Sequence, residues 1–171
     1  MPTPISHAAV GLAIGAWTAP APRPTTRVCA LAAACAALPD IDVLWSAGLP
    51  ESSPFAHRAL THSLAFAVVA TILVTSVGFR HDRARLAVTL GLGLLSHSCL
   101  DALTTYSLGI AFFAPFSEQR FRFRWTPLGR PDGMILRQLA VESVFVLLPA
   151  VLLFWLGWRL RRQSAVSAPS S

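Results

Sequence analysis

The stretch His57-Arg58-Ala59-Leu60-Thr61-His62-Ser63 runs straight into LAFAVVATILVTSVGF, residues 64–79. The second part is apolar without interruption and gives way, after Gly78 and Phe79, to the charged turn Arg80-His81-Asp82-Arg83-Ala84-Arg85. A charge-free run of that length reads as a membrane helix. The first part sets two imidazoles and a guanidinium at the mouth of that helix. Neutral imidazole is the commonest metal ligand among side chains, and ionisable groups at a membrane are costly without partners. The expectation is a helix in lipid with a polar site at one end.

The whole chain agrees with this expectation. Of its 171 residues 54% are hydrophobic and only 13% charged, with a mean hydropathy of +0.57. An ordinary soluble domain carries about 25% charge. The length suits one domain with a substantial core, here a single membrane-embedded helical domain over 1–162. The small polar tail, 163–171, is expected to be disordered. The net charge of +6 comes from arginine alone, since no lysine occurs. These arginines cluster between apolar runs, which suits lipid headgroups; no helix-turn-helix or zinc-finger spacing is present, and no nucleic-acid partner is expected. Cys29, Cys35 and Cys99 are odd in number, lie in apolar stretches and form no CxxC, so they read as small buried hydrophobes. Residues 8–16 are apolar, but no positive segment precedes them, so the N-terminus is taken as mature protein.

Outward from residue 57, the chain divides into short apolar segments. Residues 5–20 and 28–38 are two of them, parted by a proline-rich turn and followed by Pro39 and Asp40-Ile41-Asp42. Residues 86–103 form a helix that is apolar in its first half and carries His97 and Asp101 in its second. Residues 109–116 suggest a re-entrant or interfacial piece, and 121–125 (FRFRW) an extended interfacial strand. Residues 139–158 are the last span, flanked by Arg159, Arg161 and Arg162. The fold class is thus an all-α integral membrane bundle of about five helical segments, some short or re-entrant. If each segment crosses, the turns carrying Arg23/Arg27 and Arg80/Arg83/Arg85 share a side with the C-terminal arginines. His7, Asp40, Asp42, His57, His62, His97, Asp101 and Glu142 then fall toward the other. Positive-inside reasoning makes the arginine side cytoplasmic and puts the site on the non-cytoplasmic face.

The chemistry lies in those residues. His97 and Asp101, spaced i,i+4, share one helix face and can hold a divalent ion together, or the carboxylate can orient the imidazole. A buried pair that fixes helix packing is the plainer alternative. Asp40 and Asp42 can supply a ligand or a general base, or simply a turn after Pro39. His57 belongs on the loop and His62 at the start of the helix, with Thr61 as its N-cap. Arg58 suits an anion clamp or a headgroup contact. His7 is a candidate ligand because topology brings it to the same side. Glu142, one turn into an apolar helix, must pair with a loop arginine or complete the metal shell.

His7, LPDID (38–42), HRALTHS (57–63), HSCLD (97–101) and PFSEQRF (115–121) occur in that order. This combination resembles the YdjM-like family of bacterial inner-membrane proteins, described as metal-dependent hydrolases. The resemblance covers roughly residues 7–142, and HRALTHS and PFSEQRF are its most specific elements. It implies a multi-helix protein of the inner membrane with a His/Asp metal centre formed from His7, Asp40, Asp42, His57, His62, His97 and Asp101. A distant similarity of the family to zinc-dependent phospholipase C implies phosphoester hydrolysis at zinc. The chain lacks that enzyme's N-terminal tryptophan ligand and a clear HxxxE helix, which argues against a full trinuclear site.

The expected function is hydrolysis of a phosphoester or other lipid-linked anionic substrate by water activated on a divalent ion, Zn first and Mn or Mg next. Zinc brings the pKa of a bound water to about 7. Two other classes compete. A metal-binding regulator or scaffold would close the shell with four protein ligands, and a divalent-metal transporter would need polar residues along a path to the far face.

Overall fold

The computed structural model describes residues 2–20, 25–105, 108–129 and 134–166. Regular structure there is entirely helical. It comprises α1 (Pro4–Thr18), α2 (Thr26–Ala37), a 3-10 turn (Leu38–Asp42) leading into the one-turn α3 (Val43–Ser46), α4 (Leu64–Gly78) and α5 (Arg83–Ala102). After a long loop come α6 (Ile135–Glu142) and α7 (Leu148–Val166), joined through a π-helical turn at Ser143–Leu147. The five anticipated segments are all present. The last is longer than expected at both ends, so residues 163–166 of the anticipated tail continue the helix; residues 167–171, and 21–24 of the proline-rich turn, lie outside the described residues.

Local sequence explains where these helices begin. Thr3 caps α1 by accepting from the Ser6 N–H, with Pro4 in the first turn, and Thr25 caps α2 through Val28 N–H. The cap of α4 is Ser63, which accepts from Phe66 N–H at 3.1 Å. Thr61, expected in that role, lies instead in a 3-10 turn (Leu60–His62), where its hydroxyl serves another residue.

α1 packs on α2, α5 and α7, α2 also packs on α5, and α4 lies against α5. The three-helix contact of α1, α2 and α5 depends on missing side chains. A Cβ on Gly11 would come within 2.5 Å of the Ala32 carbonyl oxygen, and one on Gly93 within 2.9 Å of the same atom. Small residues of this kind let membrane helices approach backbone to backbone, since lipid supplies no hydrophobic drive between them. Trp17 reaches across to donate to the Leu153 carbonyl at 2.8 Å.

The distribution of polarity is that of a protein in lipid. Val68, Val69, Ile72, Leu73 and Val77 of α4, and Leu148, Val151, Leu152 and Leu153 of α7, are exposed. His7, Asp42, Arg58, His62, His97, Asp101 and Glu142 are buried. Thr26–Ser46 and Ile135–Gln163 are long and apolar enough to cross a membrane, and Leu64–Gly78 is apolar but shorter. At the arginine-rich end, Arg27 stacks over Phe79 and Arg161 donates to the Trp17 carbonyl. The polar residues gather at the other end.

Residues 109–116, expected as a re-entrant or interfacial piece, form turns that pack over the site: Leu64 N–H donates to the Phe112 carbonyl and Ala111 N–H to that of Arg58. Residues 121–125 make no strand, because pairing with the neighbouring segment stops at one bridge, Ile110–Phe121, after which Phe123 N–H turns to the Ala102 carbonyl.

Candidate metal centre

Four side chains from three parts of the chain converge. Asp40 comes from the 3-10 turn that Pro39 starts at the end of α2, His62 from the turn before α4, and His97 and Asp101 from successive turns of α5. His97 Nε2 lies 3.0 Å from His62 Nε2 and 3.4 Å from Asp40 Oδ1. His62 Nε2 lies 3.7 Å from Asp40 Oδ1 and 3.5 Å from Asp101 Oδ2, and His97 Nε2 is 4.0 Å from Asp101 Oδ2. Donors around a tetrahedral zinc at about 2.0–2.1 Å are themselves about 3.3 Å apart. The spacing therefore fits one such ion.

The hydrogen bonds around the cage strengthen this fit. His97 Nδ1 is 2.7 Å from the Ala36 carbonyl, to which it must donate, so its Nε2 carries a lone pair inward when the ring is neutral. His62 Nδ1 is likewise 3.3 Å from Asp42 Oδ2. Two neutral rings oriented this way put lone pairs face to face at 3.0 Å, beside four carboxylate oxygens of Asp40 and Asp101 that receive no hydrogen bond among the described residues. Buried acceptors without a donor are costly. A cation between them removes the conflict. Without a metal, a proton on His62 takes its place: burial alone would lower the His62 pKa, but Asp101, Asp40 and Asp42 outweigh it and raise it to about 10.

The remaining residues sort around this cage. His7 stacks on His97 with ring centroids 3.7 Å apart, and its Nε2 is 3.6 Å from Asp101 Oδ1. It reaches the side of Asp101 turned away from the other histidines. His57 belongs to a second group with Asp42 and His62; its Nδ1 is 2.7 Å from Asp42 Oδ1. Asp42 also accepts from Thr61 Oγ1 at 2.7 Å and from Arg58 N–H at 3.3 Å. It thus faces the backs of the two rings rather than the cage, and orients His62 through Nδ1, the usual partnership for a ligating histidine. Thr61 stands beside both, its hydroxyl 2.7 Å from Asp42 Oδ2 and 3.0 Å from His62 Nδ1.

Arg58 is placed differently from the expected clamp. It is completely buried at a positive φ of 67°, with Nε 3.1 Å from Asp101 Oδ2 and Nη1 donating to Thr104 Oγ1 at 3.2 Å. Its charge faces Asp101. Strained backbone of this kind persists only where surroundings hold it, and here Arg120 does so, donating to the carbonyls of His57, Arg58, Gly109 and Glu51. That contact ties PFSEQRF physically to HRALTHS. Glu142 is neither a ligand nor an arginine partner: it accepts from Thr3 N–H, Thr3 Oγ1, Ser6 Oγ and Gln138 Nε2 and so anchors the start of α1. The helix dipole makes that position favourable for a carboxylate.

Several contributors escaped the sequence reading. Ser98, whose hydroxyl donates to the His62 carbonyl at 2.7 Å, and Ser6 are ordinary helix hydroxyls, and Thr104 lies just past the end of α5. Ser98 and Thr104 do flank the His97/Asp101 pair, which was the available signal. The Ala36 carbonyl had none.

A lipid-embedded helical bundle whose interior holds histidines, aspartates and an arginine defines a class: a membrane protein built around a buried polar centre able to hold a metal ion. The family model described as YdjM inner membrane protein matches residues 1–166. Inner membrane protein YbcI of Escherichia coli (strain K12) is 37% identical over 174 residues, covering 95% of this chain and 100% of that relative. The chain belongs to the YdjM family of inner membrane proteins. No solved structure matches it significantly.

Proposed function

We propose that this protein is a metal-dependent hydrolase of the inner membrane, acting on a phosphoester or similar lipid-linked anionic substrate, with zinc as the first candidate ion. The observation that carries the metal is the facing of His62 and His97 Nε2 at 3.0 Å beside carboxylate oxygens of Asp40 and Asp101 that accept no hydrogen bond among the described residues. When bound, a divalent ion would polarise water and the scissile group. His62, His97 and Asp101, all fully buried, are the holding set, with the two-imidazole, one-carboxylate composition common in catalytic zinc sites. Asp40, less buried than these three, is the general base, since Asp42 is taken up by His57, Thr61 and Arg58. Arg58 fixes Asp101 and raises the positive potential behind it. The site lies toward the non-cytoplasmic face by the positive-inside pattern of the arginine clusters.

Asp40 Oδ1 also lies within ligand distance of both histidines, which favours a second reading: a closed four-ligand shell that holds helices together without turnover. Asp40→Asn separates the two. Purified in detergent with its metal, the variant is expected to keep the ion and lose hydrolysis of chromogenic phosphate mono- and diesters. Loss of the ion together with an inactive wild type would establish the structural reading and end the enzymatic one.

A further inference from the structure

Beside the buried centre, the loop that closes it carries a separate polar cavity of about 520 Å³, lined by Thr105, Leu108, Arg120, Arg122, Arg124 and Thr126 together with Phe123. Three guanidinium groups border it, and among the described residues no carboxylate does. Among the described residues neither Arg122 nor Arg124 forms an ion pair, so both charges await a partner. Their placement is built into the fold. Gly109, at φ +108°, lets Ile110 pair with Phe121, and a Cβ there would meet the Phe121 carbonyl oxygen at 2.4 Å. Phe123 N–H is then fixed to the end of α5, which leaves Arg122 and Arg124 exposed on either side of it.

Apolar surface surrounds the cavity. A second, mostly apolar cavity of about 490 Å³ shares Arg120 and Leu108 with it. Phe116, Phe123 and Trp125 are exposed on the same loop layer, at 88%, 45% and 67%. Aromatic rings interleaved with arginine mark the headgroup depth of a bilayer, where one part of the ligand is charged and the rest is oily. Free phosphate would match the arginines alone. The combination matches an amphiphile.

We propose that the Arg122/Arg124 cavity binds the phosphate headgroup of an anionic membrane lipid, with the adjoining apolar cavity and exposed rings taking the upper part of its chains. Thr105 and Thr126 supply hydroxyl donors. The cavity also neighbours the centre: Thr105 follows Thr104, whose hydroxyl accepts from the Arg58 side chain that faces Asp101. The headgroup site therefore adds to the hydrolase proposal a means of holding an anionic lipid beside the metal. The binding claim itself is separable, because it is read without turnover.

The test uses the full chain in neutral detergent and a fluorescent phosphatidic acid as probe. Saturable binding is expected, and Arg122→Gln with Arg124→Gln should weaken it about 30-fold, two near-surface cation–headgroup attractions being removed. Arg159→Gln with Arg162→Gln, at the other end of the bundle, should change it less than about threefold. Millimolar inorganic phosphate should leave most of the probe bound. Retained binding in the Arg122/Arg124 variant, with melting temperature unchanged, overturns the proposal. So does an equal loss in the Arg159/Arg162 variant, or complete displacement by inorganic phosphate. Failure of any hydrolysis assay leaves these outcomes intact.

Discussion

Asp101→Asn is the most informative single change in the centre. The native carboxylate is wholly buried and faces His62 at 3.5 Å, His7 at 3.6 Å and Arg58 Nε at 3.1 Å. The amide keeps its volume but removes one negative charge from the cage and neutralises the carboxylate that the buried Arg58 guanidinium faces. Breaking a buried pair by neutralising one partner costs about 3–5 kcal/mol, so the melting temperature should fall clearly. Metal affinity should fall further than the 10–100-fold typical of losing a group that only supports a ligand. The assay is metal analysis of detergent-purified protein, followed by competition with a chelator. His97→Ala is the companion variant, since it removes a donor without stranding a buried charge. Both should purify with well under one ion per chain where the wild type holds one or more. Retention of stoichiometric metal in both, at affinities within about tenfold of wild type, would refute a shared ion at this cage.

Other consequences can be checked separately. Metal binding to the metal-free protein should release about one proton per ion at pH 7–8, because the His62 pKa is raised to about 10 and that proton occupies the same space; no release would remove the proton–metal competition. In the metal-free state, the raised His62 pKa stabilises the fold fully below its ordinary value of 6.5, and that contribution disappears as pH rises through about 10. Melting curves between those limits test the sign. Glu142→Gln loses the charge that Thr3, Ser6 and Gln138 converge on, which should destabilise the protein by about 1.5–3 kcal/mol and weaken metal binding only through displacement of His7. Gly93→Leu drives a side chain into the Ala32 carbonyl and should prevent α2 and α5 from closing, detectable as loss of a cooperative melt.

The sequence by itself settled the membrane character, the five helical segments and the side of the bundle on which the polar residues collect. Those follow from composition and from the lengths of apolar runs, which are one-dimensional properties that lipid reads directly. It also picked out His62, His97, Asp40 and Asp101, because imidazole and carboxylate are out of place in such runs. What each of them touches was decided only by the tertiary structure. His57 and His62 are near neighbours in the chain and both meet Asp42, yet only His62, carried by the 3-10 turn, also turns its Nε2 into the cage. Arg58 and Glu142 carry charges that suit an anion clamp or headgroup contact for the first, and a loop arginine or the metal shell for the second. Packing instead buried the first against Asp101 and set the second at the N-terminus of α1, a helix more than a hundred residues away in sequence. Charge and periodicity mark residues that need a partner. Which partner they find depends on backbone approaches set by Gly11 and Gly93 against Ala32, and on carbonyls such as that of Ala36, which every residue possesses and no pattern reveals.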